Sequence, residues 1–275
     1  MGIGDEIMAA GEARRAANGT ARRYIMTDKR GTPKWHWVWE GNPNIAVPGE
    51  RADGTIGYVN GRRPYVVDET ALTRTFRAYQ PAPAIIRLTE RALEIKAHVA
   101  GGVVFNPTIK YKAPQNKDWG LDRWRQLVQE NRDIRWIQVA EQSQPRVRGA
   151  EQIITSDFFQ ACGALAGAAA AVVHEGALHH AAAAYSTPTV VIRGGYISPR
   201  VTGYAGQVDL YIEDPDFPEF AELGCGTRVA CPHCAAAMER ITPALVASAL
   251  RVLLKQGPAR DLTPDSHLGA PAAAA

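Results

Sequence analysis

The stretch AAVVHEGALHHAAAAYSTPTVVIRGG, residues 170–195, contains the pattern that decides the fold. Two short apolar runs, AAVVH and PTVVIRGG, flank a segment rich in alanine and histidine. Continuous apolar runs are typical of strands covered on both faces, whereas a strand with one solvated face alternates apolar and polar residues. The stretch is therefore predicted to form a strand, a helix and a second strand, with the two strands parallel.

The same alternation extends through the second half of the chain, from residue 101 onward. Its segments are GGVVFNP, LDRWRQLVQEN, IRWIQVA and DFFQACGALAGA, in that order. A series of such units with right-handed crossovers builds a doubly wound parallel sheet, whose functional loops lie at the carboxyl ends of the strands. Asp157 is expected to cap the helix that begins FFQACG, and Thr242 with Pro243 to start a final helix that runs to about Lys255.

The first hundred residues are less regular. A helix is expected over residues 5–17 and a strand at YIMT, followed by a loop-rich region with Trp35, Trp37 and Trp39 as aromatic anchors. We therefore divide the chain into a reduced first domain (1–98), an α/β domain (99–256) and a flexible tail (257–275). The tail is assigned because it has turn-forming residues and no apolar period.

Composition argues against a membrane span and a secretory leader. Hydrophobic residues make up 46% of the 275 residues and charged residues 21%, and no apolar run approaches the roughly 18 residues that a span needs. The start, MGIGDEIMAAGEARR, lacks the basic and apolar regions of a signal peptide. With four unevenly spaced cysteines, these features predict a cytoplasmic protein. The first 96 residues carry the net positive charge, which fits either an anionic partner or a solvated arginine-rich face.

The helix after AAVVH is a candidate site for an anionic ligand. Free N–H groups at a helix amino terminus, at the carboxyl edge of a parallel sheet, suit phosphate. Gly176 and the alanines permit close approach, Glu175 can accept hydrogen bonds from ribose hydroxyls, and His179 or His180 can donate to a phosphate oxygen. The alternative is a polar loop with one structurally bonded histidine.

The loop after the strand VVF is a second candidate for contact with an anion. It contains Thr108, Lys110 and Lys117 in the segment NPTIKYKAPQNKDWG, which connects a predicted strand to the next predicted helix. Lysine presents a point charge to phosphate. A lysine-rich loop is equally explained as a solvated surface.

The opening segment GIGDEI places an acid at the start of the first helix. Its glycines do not form a dinucleotide fingerprint, because Ile7 stands where the third glycine is required and no strand precedes it. A nicotinamide cofactor is therefore not expected. Asp5 is suited either to cap the helix or to act as a base.

The segment CGTRVACPHC, residues 225–234, is a candidate metal site. Cys231 and Cys234 have the C-x2-C spacing of half a zinc site, and Cys225 or His233 can add a ligand. A second pair at suitable spacing is absent from the sequence. Structural zinc and reduced thiols in a small loop therefore both remain open.

Taken in order, four segments resemble the GT-B glycosyltransferases of the ADP-heptose:lipopolysaccharide heptosyltransferase family. GIGDEI is similar to the family's Gly-Asp motif, and NKDWGLDRW to its Lys-x-Trp loop and following helix. EGALHHAAAAYSTPTVV is similar to its donor loop, and CPHCAAAMERITPALVASAL to the segment near its end. The set covers residues 1–8 and most of 103–254, and it is specific as an ordered series.

The resemblance implies an α/β, GT-B-like fold in which two Rossmann-like domains face a cleft, the amino-terminal one reduced and on the acceptor side. It also implies inverting transfer of a sugar from a nucleotide-diphosphate sugar to an acceptor hydroxyl, with no metal cofactor required. By the family's motifs, Asp5 falls on the catalytic base and Lys117 on the phosphate-contacting lysine. Gly176 and His179 fall on the donor loop.

Two acceptors and one other function are compatible with these observations. The family's usual acceptor is a saccharide of lipopolysaccharide type, whereas the basic, tryptophan-bearing first domain also suits a hydroxymethylated DNA base. A catalytically silent nucleotide-binding or scaffold protein with the same architecture is the alternative function.

The chain departs from the family's pattern in two places. The family usually has an acid where His174 stands, and a strand before the Gly-Asp motif. Because the sequence starts at the motif, we expect either that the reading frame begins late or that the first sheet is built differently.

Overall fold

The computed structural model describes residues 2–28, 30–57, 63–109, 114–213 and 218–256. Its helices are α1 (Ile3–Ala17), α2 (Glu90–His98), α3 (Leu121–Glu130), α4 (Phe158–Gly167), α5 (Ala177–Ala184), α6 (Pro199–Thr202), α7 (Pro232–Arg240) and α8 (Pro243–Gln256). Its strands are β1 (Tyr24–Thr27), β2 (Gly54–Gly57), β3 (Val66–Glu69), β4 (Arg74–Phe76), β5 (Val103–Phe105), β6 (Trp136–Ala140), β7 (Glu151–Ile154), β8 (Ala170–His174), β9 (Thr189–Gly194) and β10 (Gln207–Tyr211). Short 3-10 turns lie at Trp37–Trp39, Gln115–Lys117 and Pro218–Phe220.

The strands from β5 onward form one parallel sheet with the order β10-β9-β8-β5-β6-β7. The prediction of a parallel α/β sheet is confirmed, with β5, β6, β8 and β9 at the four apolar runs. The sequence did not indicate β7 and β10, which form the two edges. From β5 the chain adds β6 and then β7 on one side of the sheet. It then adds β8, β9 and β10 on the other side of β5, so the strand order reverses between β5 and β8. Ligands of open α/β sheets bind at such a switch point, beyond the carboxyl ends of the strands.

Among the described residues before 98, the strands form two small sheets. β1 and β2 form a two-stranded parallel sheet, and β3 and β4 form an antiparallel hairpin. The helix and the strand YIMT expected from the sequence are present as α1 and β1.

The predicted helix starts are confirmed by their hydrogen bonds. Asp157 Oδ1 accepts from the Gln160 N–H at 2.9 Å, so it caps α4. Thr242 Oγ1 accepts from the Leu245 N–H at 3.2 Å at the start of α8. No helix in the described ranges has both the length and the apolar character needed to cross a membrane. The expected flexible tail, residues 257–275, lies outside the described residues.

Two hydrophobic cores lie on the two faces of the sheet. One packs α3 and α8 against the sheet and includes the fully buried Trp119, Trp124 and Leu250. The other contains α1, α4 and α5 and joins Ile7 of the first region to Val173 of the sheet. The first region is therefore packed directly onto the sheet domain, and α1 lies beside α5.

Candidate functional site

Two of the sequence-derived candidates meet at the switch point of the sheet. Lys117 lies in the 3-10 turn after β5, and Glu175 directly follows β8. The Lys117 ammonium pairs with the Glu175 carboxylate, and the side chains are 15% and 5% exposed. Lys117 Nζ also lies 4.8 Å from the centre of the Tyr196 ring. A positive charge is thus held between a carboxylate and an aromatic face, at the edge where ligands of this fold bind.

Glu175 is kept ionised by its surroundings. Burial opposes ionisation, but Lys117 and the nearby Arg193 hold the pKa of Glu175 well below its ordinary value. Thr202 Oγ1 donates to Glu175 Oε1 at 3.3 Å and accepts from an Arg193 amino group at 2.9 Å. No sequence pattern indicated Thr202 or Arg193, because their contacts form only when β9 and α6 pack beside β8.

The amino terminus of α5 opens beside this pair. Gly176, Ala177 and Leu178 are half-buried, and the first N–H groups of a helix have no partner within it. The Gly176 N–H donates to His179 Nδ1 at 2.9 Å. The N–H groups of Ala177 and Leu178, at the first two helical positions, are therefore the ones that α5 can offer to a ligand.

The amino terminus of α1 lies against that of α5. A Cβ atom on Gly4 would lie 2.9 Å from His180 Cδ2 and 3.5 Å from the Ala177 Cα. Only glycine permits this approach without displacing the histidine ring. Both helices bring the positive ends of their dipoles to one region, which gives the second glycine of the GIGD segment a function in packing.

The two histidines of α5, His179 and His180, are buried and uncharged. His179 Nδ1 accepts from Gly176, and His179 Nε2 lies 2.9 Å from the Thr202 carbonyl oxygen. His180 Nδ1 lies 2.8 Å from the Tyr204 hydroxyl. Burial lowers the pKa of His179 to about 4 and that of His180 well below its ordinary value. His179 therefore has the bonding of a structural histidine, and it shapes the loop through both ring nitrogens.

Asp5 is buried in the first turn of α1 with both oxygens engaged. Oδ2 accepts from the Gly2 N–H at 3.0 Å, which is the capping geometry. Oδ1 accepts from Arg63 Nε at 2.8 Å and from the Tyr65 hydroxyl at 2.7 Å. Arg63 and Tyr65 belong to an irregular segment in which the sequence indicated no site.

A cluster of arginines surrounds Glu69 at the end of β3. Its carboxylate pairs with Arg63 at 3.0 Å, Arg74 at 2.8 Å and Arg228 at 3.2 Å. An Arg74 amino group also lies 3.4 Å from the Tyr196 hydroxyl. Because Arg63 also pairs with Asp5, three guanidinium groups share two carboxylates, which leaves one positive charge in excess where the first region meets the sheet domain. The only sequence signal was the general basicity of the first 96 residues.

The thiol cluster, defined here as Cys225, Cys231, His233 and Cys234, gathers four potential metal ligands. Their ligand atoms all lie within 4.8 Å of one another. Cys225 Sγ is 3.1 Å from Cys234 Sγ and 3.9 Å from Cys231 Sγ, and the cysteines are free. A hydrogen bond from the Cys234 thiol lowers the pKa of Cys225 to about 5. Thiolates with an imidazole are a ligand set for zinc or iron.

A second group of potential ligands is less suited to a metal. Glu175, His179 and His180 also place ligand atoms within 4.8 Å of one another. Both nitrogens of His179 are already hydrogen-bonded, however, and Glu175 is paired with Lys117. This group can therefore take a metal only by giving up bonds that shape the loop.

Of the remaining two candidates, Thr108 is engaged away from the site. The Thr108 N–H and hydroxyl both donate to Asn106 Oδ1, at 3.0 and 3.1 Å. Within the described ranges, no hydrogen bond or ion pair links Thr108 to Lys117 or Glu175. Lys110 lies outside the described residues.

Comparisons with known proteins identify structural neighbours. No family model matches the sequence, and no curated protein matches it. The glycosyl transferase family 9 protein from Veillonella parvula DSM 2008 aligns with a TM-score of 0.59 at 13% identity, over 93% of this chain and 95% of that chain. The iron-containing dodecameric glycosyltransferase TibC from enterotoxigenic E. coli H10407 aligns with a TM-score of 0.53 at 13% identity, over 93% of this chain and 74% of that chain. For E. coli ADP-heptose lps heptosyltransferase II the TM-score is 0.47 at 17% identity, over 65% of this chain and 56% of that chain.

These similarities concern the fold. The chain is structurally similar to family 9 glycosyltransferases over most of its length, and it shares the α/β, parallel-sheet architecture of these GT-B neighbours. The fold that the sequence resemblance implied is therefore confirmed. At 13% identity the chemistry has to be argued from the residues at the switch point of the sheet.

Proposed function

We propose that this protein transfers a sugar from a nucleoside-diphosphate sugar to an acceptor hydroxyl, with inversion at the anomeric carbon. The observation that most supports this is the meeting of the α1 and α5 amino termini beside the Lys117–Glu175 pair. Two positive helix ends and a half-buried ammonium, at the switch point of a parallel sheet, suit a diphosphate.

Lys117 and the start of α5 would act on the leaving group. As the bond between the anomeric carbon and the diphosphate breaks, negative charge grows on the departing phosphate oxygens. The Lys117 ammonium and the N–H groups of Ala177 and Leu178 would stabilise that charge, and preorganised groups of this kind contribute several kcal/mol. Glu175 would accept hydrogen bonds from the ribose hydroxyls of the donor. No metal cofactor is required by this proposal.

Asp5 would activate the acceptor. Its carboxylate takes the proton of the acceptor hydroxyl while the acceptor oxygen forms the new bond to the anomeric carbon. The incoming hydroxyl would replace the Tyr65 hydroxyl on Oδ1, and Arg63 would hold the carboxylate in position. This proposal requires Tyr65 to move when the acceptor binds.

The aromatic segment beside α1 supports an acceptor with flat faces. Trp35 and Trp37 are 40% and 41% exposed. The neighbouring Trp39 donates from Nε1 to the Glu6 carbonyl oxygen at 2.8 Å, which ties the segment to the first turn of α1. Indole rings stack on nucleic acid bases and offer apolar area to saccharides. A saccharide and a hydroxymethylated DNA base are therefore the two acceptors to test, by mass change after incubation with nucleotide-sugars.

A catalytically silent nucleotide-binding protein is the second candidate function. The observation that favours it is the complete engagement of the Asp5 carboxylate by Gly2, Arg63 and Tyr65. A scaffold would bind nucleotides and turn over no donor with any acceptor. Slow hydrolysis of a nucleotide-sugar would favour the transferase.

Donor binding is tested by replacing Lys117. A panel of nucleoside-diphosphate sugars is first screened by thermal shift, and the best donor is titrated by calorimetry. Lys117→Ala removes a half-buried positive charge from the proposed phosphate site, so we expect at least a tenfold loss of affinity. Lys96→Ala, an exposed lysine on α2, is the matched control and should bind normally. Unchanged affinity in Lys117→Ala would argue against the phosphate role.

The base is tested by Asp5→Asn. General base catalysis contributes about 10²–10⁴-fold in rate, so transfer should fall by that factor while donor affinity is retained. Glu12→Gln, on the same helix but paired with Arg15, controls for the change in helix charge. Full turnover by Asp5→Asn would remove Asp5 from the mechanism.

The thiol cluster is proposed to hold a structural metal ion rather than a catalytic one. Three cysteines and a histidine form a closed four-ligand set, which is typical of structural zinc. We expect zinc, bound by Cys225, Cys231 and Cys234 with His233 as the fourth ligand. Metal analysis of the purified chain distinguishes zinc from iron.

A further inference from the structure

We infer that the metal ion of the thiol cluster stabilises one loop. This loop in turn keeps two groups in position: Lys117, the proposed donor-binding lysine, and the residues that pair with Asp5, the proposed base. The loop is residues 224–230, named here the bridging loop. The inference rests on the proposed function only for the roles of Lys117 and Asp5. The contacts that carry it are present whatever the chemistry.

The cluster has dimensions that suit an ion. With zinc–sulfur bonds of about 2.3 Å, tetrahedral geometry places sulfur atoms about 3.8 Å apart. The observed Sγ separations from Cys225, 3.1 Å to Cys234 and 3.9 Å to Cys231, lie near that value. Cys234 and His233 are 0% and 2% exposed. Small side-chain shifts would therefore complete the site.

The bridging loop pairs with the β3–β4 hairpin of the first region. The Arg74 N–H donates to the Gly226 carbonyl oxygen at 2.9 Å, and the Arg228 N–H donates to the Leu72 carbonyl oxygen at 2.8 Å. A Cβ atom on Gly226 would lie 1.8 Å from the Arg74 carbonyl oxygen, and Gly226 has a φ of +62°. Glycine is therefore required for the loop to lie this close to the hairpin.

From the hairpin, a chain of ion pairs leads to the proposed base. Arg228 of the bridging loop pairs with Glu69 at 3.2 Å. Glu69 pairs with Arg63, and Arg63 pairs with Asp5 at 2.8 Å. A displacement of the bridging loop would therefore reach the Asp5 carboxylate through two shared partners.

The same loop holds the segment that carries Lys117. Asn116 Nδ2 donates to the carbonyl oxygens of Thr227 and Val229, both at 2.6 Å. Asn116 precedes Lys117 in the chain and is only 8% exposed. The loop also donates a backbone hydrogen bond, 3.0 Å long, to the carbonyl oxygen of Tyr196, whose ring lies beside Lys117. Both sides of the proposed site thus depend on one irregular segment.

A metal would give this segment its stability. The bridging loop, residues 224–230, contains no helix or strand. Cys225 lies at its start, and Cys231 directly follows its end. Coordination by both cysteines closes the loop, and the free energy of metal binding then favours the ordered conformation. Without the ion, the loop is held only by hydrogen bonds and by the Arg228–Glu69 ion pair. We therefore expect metal removal to loosen the hairpin and the Asn116 segment together.

The test combines metal analysis with hydrogen exchange on the full-length chain. We expect about one zinc or iron ion per chain. Removal of the ion by a chelator, or Cys231→Ser, should reduce amide protection at least tenfold in peptides covering residues 66–76 and 114–119. Cys162→Ala is the matched control, because Cys162 is a free cysteine on α4, outside the cluster. It should keep both the metal and the protection.

Asn116→Ala separates the two connections. It should retain the metal and the protection of the hairpin, but lose protection at residues 114–119 and bind the nucleotide more weakly. A chain purified without metal, a Cys225–Cys234 disulfide, or exchange that is unchanged after chelation would each overturn the inference. Metal-dependent protection in a chain that binds no nucleotide would uphold the inference and reject the proposed function.

Discussion

At the scale of single residues, the first turn of α1 buries two adjacent carboxyl groups in different environments. Asp5 is bonded to Arg63 and Tyr65, whereas no hydrogen bond within the described ranges reaches the Glu6 carboxyl group. Burial, and then the charge of Asp5, raise the pKa of Glu6 to about 7. At neutral pH the fold therefore contains an acid that is easily protonated beside one that is fully paired.

This difference predicts a pH-dependent stability that Glu6→Gln should remove. In the unfolded chain Glu6 ionises near its ordinary pKa of 4.5, and in the fold near 7. Below pH 4.5 Glu6 is protonated in both the folded and the unfolded chain, so its titration does not change the stability there. Between these values the unfolded chain releases a proton that the folded chain keeps, so stability falls as the pH rises. Glutamine imitates the protonated acid, so the variant should match the wild type at pH 4 and melt roughly 3 °C or more higher at pH 8.

The measurement is a series of melting temperatures from pH 4 to pH 8. Glu12→Gln is the control, because Glu12 is paired with Arg15 and with the Tyr79 hydroxyl. It should lose stability at pH 8 instead of gaining it. If the curves of Glu6→Gln and the wild type run parallel over the whole range, Glu6 is not the group that titrates.

The Lys117–Glu175 pair could be predicted from the sequence because it follows from strand order. Lys117 and Glu175 are 58 residues apart, yet each follows a central strand, and the loops of neighbouring parallel strands meet at one edge. Arg63 and Tyr65 follow no such rule. They reach Asp5 from a segment without periodicity, and their contacts depend on how that segment packs over α1. Residues of this kind become visible only when the tertiary structure is known.

At the scale of elements, burial decides which strands the sequence reveals. The central strands β5, β6 and β8 are buried at every residue, so they appear as continuous apolar runs. The edge strands β7 and β10 are half-exposed and contain glutamate, glutamine and aspartate. The strands β2, β3 and β4 are three or four residues long and mostly exposed. Neither group has an apolar pattern that separates it from loops.

Helix packing provides a prediction at this scale, for α2 against α4. A Cβ atom on Gly163 would lie 2.1 Å from the Ala92 carbonyl oxygen. Alanine is the better helix former by about 1 kcal/mol, but here it would push the two helices apart. We expect Gly163→Ala to destabilise the protein by about 1–3 kcal/mol in urea denaturation.

Gly57→Ala is the control for the loss of a glycine. The nearest atom to its Cβ would be Thr27 Oγ1 at 3.9 Å, which is ordinary contact. This variant should stay within about 0.5 kcal/mol of the wild type. If Gly163→Ala were as stable as the wild type, the close approach of α2 and α4 would be refuted.

At the scale of the whole molecule, the regions before and after residue 98 differ in topology but share one hydrophobic core. Ile7 and Met8 of α1, and Phe76 of the hairpin, belong to the same buried cluster as Val104 and Val173 of the sheet. A domain that folds alone encloses its own core. The first region shares its core with the second, so we infer that the two predicted domains, 1–98 and 99–256, fold together.

A shared core predicts that residues 2–256 unfold as one unit. Calorimetry should give a single transition in which the calorimetric and van't Hoff enthalpies agree, although multidomain proteins commonly depart from this behaviour. A nucleotide-sugar that binds the fold should move that single transition upward without splitting it.

The sheet domain expressed alone, residues 99–256, is the sharper form of this prediction. It would expose the faces of α4 and α5 that α1 and Trp37 cover, since the Trp37 ring lies 5.4 Å from that of Phe159 and α1 shares a core with both helices. We expect the fragment to bind a hydrophobic dye and to lose its cooperative transition, because no other described segment can cover that surface. A fragment that melted as sharply as the full chain would show that the second region has a sufficient core. The first region would then be a separable module, and the contact between α1 and α5 would be an interface rather than part of the fold.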